Sequence, residues 1–445
     1  MSDPTPEPTP APVPLGATPA GDIPPAWAWV EPAVWTPRMV TALLAGVKGG
    51  VWFTLMDKVM AARTLRAAWA DVRANHGAAG VDHVTIGQFE AHLDANLTQL
   101  SEQLRMNTYR PQPIRRVFID KPGSREQRPL GIPTVRDRVV QTALRKVLEP
   151  IFERDFAAQS YGFRPNRGCK DALRRVQSLL DAGYTWVVDA DLQHYFDTIP
   201  HAGLMARVRA KVADRRVLAL LTAFLTDAAL DTLASWTPEQ GTPQGAVVSP
   251  LLSNIYLDPL DHVMETQQIE MVRYADDIVV LCRSEADALA ALALLQTWTT
   301  TAGLRLHPDK TRIVDATQRG GFDFLGYHFE RGYRWPRAKS LRKLKDTLRS
   351  HTHRTNGTSL AAIVATLNPV LRGWFAYFRH SHGTTFRPLD QWLRMRLRSI
   401  LRKRAGRHGR GNGSDHGRWP NAFFTAAGLI SLVEAYAAAR HPSVR

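Results

Sequence analysis

The chain has 445 residues, 44% of them apolar and 22% charged, a globular balance that excludes a disordered or fibrous chain and leaves room for two or three domains. Its 57 Lys and Arg against 41 Asp and Glu give a formal net charge of +16, and that excess is localised: the last 115 residues hold 23 basic and 4 acidic residues, a net of +19, so the preceding 330 sum to −3. Cys169 and Cys282 stand alone, which excludes a disulfide framework or a Cys-pair zinc site and fits a reducing cytosol; with no long apolar run and no leader-like segment at Met1, neither a membrane span nor secretion is expected. Nucleic acid is therefore the expected polyanion for a basic C-terminal module.

Residues 1–30 are a Pro/Thr/Ala-rich stretch with little to bury and read as a disordered tail. Apolar residues at three- and four-residue spacing predict helices over 51–75 and 86–106. Residues 111–133 carry a β-prone run, Arg116-Val117-Phe118-Ile119, then a Gly/Ser turn and a Pro-bounded return; this is a hairpin signal bearing Arg115, Arg116, Lys121, Arg125 and Arg128. Helices are expected at 134–155 and 169–182, then an apolar strand, Trp186 to Leu192, that ends in Asp189 and Asp191. Helices fill 201–230, a glycine-bearing loop covers 240–249, and a helix spans 250–266. The segment MVRYADDIVVLC (271–282) reads as strand, tight turn, strand with both carboxylates in the turn. A helix (285–302) and a strand pair around 304–315 and 322–329 follow, and beyond Arg331 the chain reads as helical and basic to its end. The sum is an α+β body followed by an all-helical domain.

Adjacent ionised carboxylates such as Asp276 and Asp277 repel one another, and a bridging divalent cation relieves the repulsion. Asp191 at a strand end completes the set, because two hard cations about 3.5–4 Å apart need oxygen ligands from several segments. Such a constellation serves in-line attack of a hydroxyl on a phosphate. From the dipeptide alone an Asp-rich β-turn is the favoured reading of Asp276 and Asp277, and spacing does not choose between Asp189 and Asp191. Asp197 reads as a helix or turn cap.

Together these segments resemble the group II intron-encoded reverse transcriptase/maturase family, of the prokaryotic kind without the C-terminal endonuclease domain. Tyr274-Ala275-Asp276-Asp277 matches the family's YADD box. GTPQGAVVSPLLSNIYLDPLD (241–261) matches the preceding loop-and-helix block, and WVVDADLQHYFDTI (186–199) the first-carboxylate block. RPLGIPTVRDRVVQ (128–141) and residues 149–173 look like fingers blocks; GLRLHPDKTRIV (303–314) and FDFLGYHF (322–329) look like the closing palm blocks. The resemblance implies a right-hand polymerase: N-terminal extension and fingers over 31–182, palm with an antiparallel sheet over 183–330, and a helical thumb/maturase domain over 331–445.

Residue by residue, the resemblance makes Asp191 and Asp276 the principal metal ligands with Asp277 beside them, holding two Mg²⁺ ions for which Mn²⁺ can substitute. Phe196 falls where the family keeps an aromatic ring against the sugar 2′ position; a core aromatic is its plainer reading. Gln244 and Gly245 belong to the loop that approaches the incoming nucleotide, with Ala246 where the family commonly has a second Gly. Lys121 and Arg128 would clamp the triphosphate. Lys310 would donate a proton to the pyrophosphate, with a plain surface lysine as the alternative.

In the tail, GWFAYFRHSHG (373–383) and RWPNAFFTAAGLISL (418–432) resemble the thumb and maturase blocks, which implies intron RNA binding. Arg394, Arg398 and Arg402 recur every four residues opposite Leu393, Leu397, Ile400 and Leu401, so an outward arginine face is expected, with Arg372 and Arg379 as further RNA contacts. The implied function is RNA-directed DNA synthesis and splicing assistance during retrohoming. Its partners would be intron RNA or another RNA template, a DNA primer or target, deoxynucleoside triphosphates and, left open, a second copy of the chain, in the cytoplasm and at the nucleoid when acting on DNA. Without endonuclease cysteines before Arg445, a mobile element of this kind is expected to use a pre-existing primer. The alternatives are a domesticated reverse transcriptase in phage defence or a retron-like system, and a splicing-only maturase.

Overall fold

The computed structural model describes residues 23–47, 50–120, 127–226, 230–231, 234–235, 240–242, 245–409 and 413–440, so most of the Pro-rich opening stretch lies outside them. The chain divides into two compact units. One draws on residues 1–112, 134–155 and 208–224, the other on 113–133, 156–207 and 225–445.

The first unit is helical and centres on the helix Val135–Glu153, whose Val139, Val140, Ala143, Leu144 and Val147 are fully buried. Thr134 starts it by accepting the Asp137 N–H. Leu65, Ala68, Trp69 and Val72 of the helix Ala62–Ala74 supply a facing apolar stripe. Two expected continuous helices each break once, giving Met56–Met60 before Ala62–Ala74, and Ile86–Ala91 before Leu93–Arg105. At each break a side chain donates to a carbonyl of the turn before it: Ser101 Oγ to Met60 O at 2.8 Å, and Asn96 Nδ2 to Phe89 O at 3.0 Å, which also accepts the His92 N–H at 3.3 Å.

The second unit carries the sheets. Strands β1 (Arg115–Asp120) and β2 (Gln127–Ile132) form the expected antiparallel hairpin. After β3 (Trp186–Asp191) and the two-residue strands β4 (Leu230–Asp231) and β5 (Ala234–Ser235) come β6 (Glu270–Tyr274), β7 (Asp277–Cys282) and β8 (Arg312–Asp315). They build a four-stranded antiparallel sheet in the order β6-β7-β3-β8. Val187, Val188, Val272, Ile278, Val279 and Val280 are all buried in it, as β-branched residues packed on a covered sheet should be. The helices Cys169–Asp181, Ser249–Thr266 and Glu285–Thr301 pack on its strands.

The expected strand pair after residue 303 needs correcting. The 304–315 stretch pairs with the β3 segment, through the Leu306–Leu192 bridge and the strand Arg312–Asp315, and not with 322–329; residues 322–336 instead fold on themselves as β9 (Phe322–Phe324), β10 (Tyr327–Glu330) and β11 (Tyr333–Pro336). The dipeptides Leu325-Gly326 (φ +47° and +83°) and Arg331-Gly332 (φ +53° and +75°) explain it, since left-handed residue pairs close two-residue hairpins. The chain is thus not helical directly from Arg331; helices begin at Ala338 and run to Arg440.

In the second unit the described residues form two buried clusters. Phe322, Phe324, Tyr327, Phe329 and Phe378 join the apolar side of the four-stranded sheet. Leu344, Leu348, Leu367, Leu371, Phe386, Leu393, Leu397 and Phe424 form the core of the helical region. The helix Leu360–Phe378 serves both, with Trp374 packed against each.

Candidate active site

β3 and β7 are neighbours, and their register sets Asp191 directly opposite Asp277. Directly opposed residues of an antiparallel pair share a face, and Asp189, two residues back, shares it too. Ala275 and Asp276 make the two-residue connection between β6 and β7, with Tyr274 paired to Asp277. Chain topology therefore brings Asp189, Asp191, Asp276 and Asp277 to one end of the sheet.

Burial and neighbouring negative charge act on two of them. Burial pushes the Asp277 carboxyl up to about 7, helped by the negative charges of Asp189, Asp276 and Asp191 and opposed by Arg337. Burial likewise raises Asp189 to about 6, against the Arg312 guanidinium 3.4 Å away. That ion pair separates Asp189 from Asp191, which spacing could not do: Asp189 is tied across the β3–β8 register, whereas Asp191 is held by Lys310, Nζ to Oδ2 at 2.8 Å. A positively charged ammonium on the Asp191 carboxylate and a crowded Asp277 are what a cation-binding set of hard oxygen donors looks like. Among the described residues no three His, Cys, Asp or Glu converge tightly enough to form a finished metal cage. The donor chemistry fits divalent cations; the cage is not closed by the protein alone.

The turn itself is held from below by residues that spacing arguments passed over. Ala275 sits at φ +59°, a costly conformation for a residue with a Cβ. Arg273, completely buried, donates from Nη1 to Ala275 O and to Asn254 Oδ1, both at 3.0 Å. Its Nε and Nη2 fork onto Asp261, also fully buried, at 2.7 and 2.5 Å. Asn254 in turn donates to Gly162 O at 2.8 Å, and Gly162 lies so close that a Cβ there would collide with the backbone nitrogen of Ala275. One signal could have found this network: an arginine inside the apolar run MVRYADDIVVLC needs a buried anion.

The segment bearing Phe196 is stitched to the loop after residue 240. Tyr195 OH donates to Ser253 O at 2.8 Å, and the Thr242 and Gly241 N–H groups reach Phe196 O and Ile199 O. Phe196 is half-buried with its ring against Tyr195, and Asp197 lies inside the short helix Tyr195–Thr198 rather than capping it. Gly245, at φ +106°, backs onto Gly131 O of β2, where any Cβ would clash. Phe196, Gly245 and the hairpin thus belong to one neighbourhood. Lys121, Arg125 and Gln244 lie outside the described residues, and for Arg128 only the strand position, opposite Ile119, is described.

A cavity of about 620 Å³ opens beside Asp277, lined by Leu325, Gly326, Arg337, Lys343 and Trp374 among others. Its basic wall is the helix Ala338–His351, whose Lys339, Arg342 and Lys343 are exposed. The expected arginine face on Phe386–Arg404 is corrected by contrast. Arg398 is buried, donating to Trp419 O and Asn421 Oδ1 over the Phe424 ring; Arg402 reaches Asp415 at 3.0 Å; Arg394 lies 3.8 Å from Asp390. The segment 415–424 covers this side of the helix with acceptors, so four-residue spacing here marks an internal polar seam. Arg372 and Arg379 are exposed.

Residues 119–329 match the family model for reverse transcriptase (RNA-dependent DNA polymerase), and residues 341–417 the group II intron maturase-specific domain. Protein YkfC of Escherichia coli K12 is 35% identical over 294 residues, which cover 57% of this chain and 76% of YkfC. The group II intron-encoded protein LtrA of Lactococcus lactis subsp. cremoris is 37% identical over 196 residues, 44% of this chain and 32% of LtrA. Among solved structures, a chain of a partial Cas6-RT-Cas1–Cas2 complex is 24% identical with a TM-score of 0.36, covering 56% of this chain and 41% of its own.

Proposed function

The chain belongs to the group II intron-encoded reverse transcriptase/maturase family, and from that premise we propose that it copies RNA into DNA at Asp191, Asp276 and Asp277 while binding a group II intron RNA that it helps to splice. The observation that carries the assignment is the convergence of these three carboxylates at one sheet end, over the buried Arg273–Asp261 pair.

The family uses divalent metal ions, and we assign Mg²⁺ here, with Mn²⁺ as a substitute, to Asp191, Asp276 and Asp277. When bound, the two ions supply Lewis-acid stabilisation of the charge that develops as the primer 3′-hydroxyl attacks the α-phosphate. The protein's own groups do the rest. Phe196 sits against the sugar and turns away a 2′-hydroxyl. Lys121 and Arg128 clamp the triphosphate, Gln244 and the Gly245 backbone border the nucleotide, and Lys310 leaves Asp191 to protonate the departing pyrophosphate. In domain terms 31–182 acts as fingers, 183–330 as palm and 331–445 as thumb and maturase region. Deoxynucleotides, a DNA primer or target and intron RNA are the substrates and partners, with a homodimer as the assembly to look for; among the described residues no helix is long and apolar enough to cross a membrane. We place the protein in the cytoplasm, at the nucleoid when it acts on DNA.

Extension of a DNA primer on an RNA template in Mg²⁺ tests the reading. The wild type should extend it, and Asp276→Ala with Asp277→Ala should lose at least about 10³-fold of the rate, the scale of losing a principal electrostatic stabiliser. A wild-type protein that extends nothing would sink the polymerase assignment. A group II intron transcript whose splicing the protein does not promote would sink the maturase half.

A further inference from the structure

Strand β11 is an edge of the three-stranded sheet, and residues 379–382 run along it: the His382 N–H donates to Arg334 O at 2.8 Å and Arg334 Nε to His380 O at 2.9 Å. On one side of this edge a small hollow is lined by Lys170, Arg174, Arg334 and His380 together with Tyr327 and Tyr377. On the other, Tyr333, Trp335 and His382 cluster, ring centroids 4.8 to 5.9 Å apart, with Tyr333 54% exposed. Nothing in the polymerase chemistry uses either group.

We propose that this edge is a second binding site for single-stranded RNA, which places a phosphate among Lys170, Arg174, Arg334 and His380 and a base on the Tyr333–Trp335–His382 rings. The proposal rests on the chain being an RNA-binding polymerase. Cations beside exposed rings are the recognition chemistry of unpaired strands, whose bases offer π-faces that a duplex hides. The charge is under-compensated. Asp171 pairs with Arg174 at 2.6 Å and Asp181 acts on Arg334, yet Arg334, Arg379, Arg174 and Lys170 together still disfavour a proton on His380, after burial does. Glu330, across the register from Tyr333, is engaged by the Gly320 N–H at 3.0 Å and by His328. A phosphate at its rim would meet these cations directly. An acidic polypeptide would satisfy the cations but leave the rings unused.

The test uses the full chain, a 12-nucleotide oligouridylate with 4-thiouridine at each position, a duplex RNA of equal length and a polyglutamate peptide. Photocrosslinking to the oligouridylate should yield a labelled peptide containing residues 333–335. Tyr333→Ala should weaken oligouridylate binding about tenfold and duplex binding little, in keeping with one lost stacking contact. Lys170→Ala with Arg174→Ala should lower the salt slope of oligouridylate binding by roughly 0.7, one phosphate neutralisation. Absent crosslinks at 333–335, unchanged affinity, or an equal loss toward polyglutamate each overturns the proposal. Primer extension on a short primer–template, measured on the same variants, keeps the two readings apart: unchanged extension with unchanged oligouridylate binding removes the second site alone, whereas a wild type without extension removes the polymerase.

Discussion

Asp276 follows an Ala275 in the left-handed conformation, which the Arg273 Nη1 bond to Ala275 O and the close backbone of Gly162 hold in place. Gly162→Ala adds one methyl against the Ala275 nitrogen without touching nucleotide or template. Primer extension should fall about a hundredfold, the loss expected of an ångström-scale misplacement, while template affinity stays within twofold. Wild-type kinetics in that variant would show that the turn tolerates the shift. Arg273→Ala strands Asp261 as a buried charge and should cost about 3–5 kcal/mol, read as a lowered denaturant midpoint. In the first unit, burial pushes Glu149 up to about 7, with Glu153 and Asp71 adding to it and Arg145 and Lys146 opposing. The folded state therefore holds a proton between about pH 4.5 and 7 that the unfolded chain has released, so stability rises as pH falls through 7. Thermal melts should show wild type gaining on Glu149→Gln as pH drops from 8 to 5.5, approaching about 3 kcal/mol in full. Parallel melting curves across that range would contradict it.

At the scale of elements, what the sequence made legible followed local chemistry. The carboxylate-ended strand Trp186–Asp191, the hairpin Arg115–Ile132 and the Tyr274–Asp277 turn are all where alternation and turn residues put them. Missed features depend on what a distant segment supplies. Ser101 and Asn96 make the helix breaks tolerable, and both side chains come from outside the short segment whose carbonyl they satisfy. The helix Phe386–Arg404 is the clearest case: its amphipathic pattern places Leu393, Leu397 and Ile400 inside correctly, but Arg398 is inside as well because Trp419, Asn421 and Phe424 meet it. Arg398→Ala should thus behave as a packing and hydrogen-bond loss, lowering stability by about 2–3 kcal/mol with RNA affinity tracking the folded fraction. If instead the variant stays fully folded and loses RNA binding, the helix presents its arginines to RNA after all.

Across the whole molecule, the +19 of the last 115 residues first suggests a removable RNA-binding module. The packing of the second unit argues otherwise. β11 completes the sheet begun by Phe322, Tyr327 OH donates to Tyr377 O and Tyr377 OH to Leu325 O, and Phe378 lies in the same apolar cluster as Val272 and Val279 of the strands that flank the Tyr274–Asp277 turn. Cutting the chain at residue 331 would remove part of the core behind the four-stranded sheet, so lost RNA binding in such a truncation would report misfolding as much as charge. Neutralising exposed charge is the clean experiment. Lys339, Arg342 and Lys343 stand on the helix that walls the cavity beside Asp277 and make no buried contacts to lose. Changing all three to Gln should leave the melting temperature within about 2 °C, since surface substitutions of this kind fall within about 0.5 kcal/mol. The log–log salt slope for primer–template binding should fall by about 2 to 3, at 0.7 to 0.9 per phosphate. Asp276→Asn with Asp277→Asn should leave that slope unchanged and abolish extension. A slope untouched by the triple substitution would move the polyanion contact off this helix and onto the remaining cations of the C-terminal region.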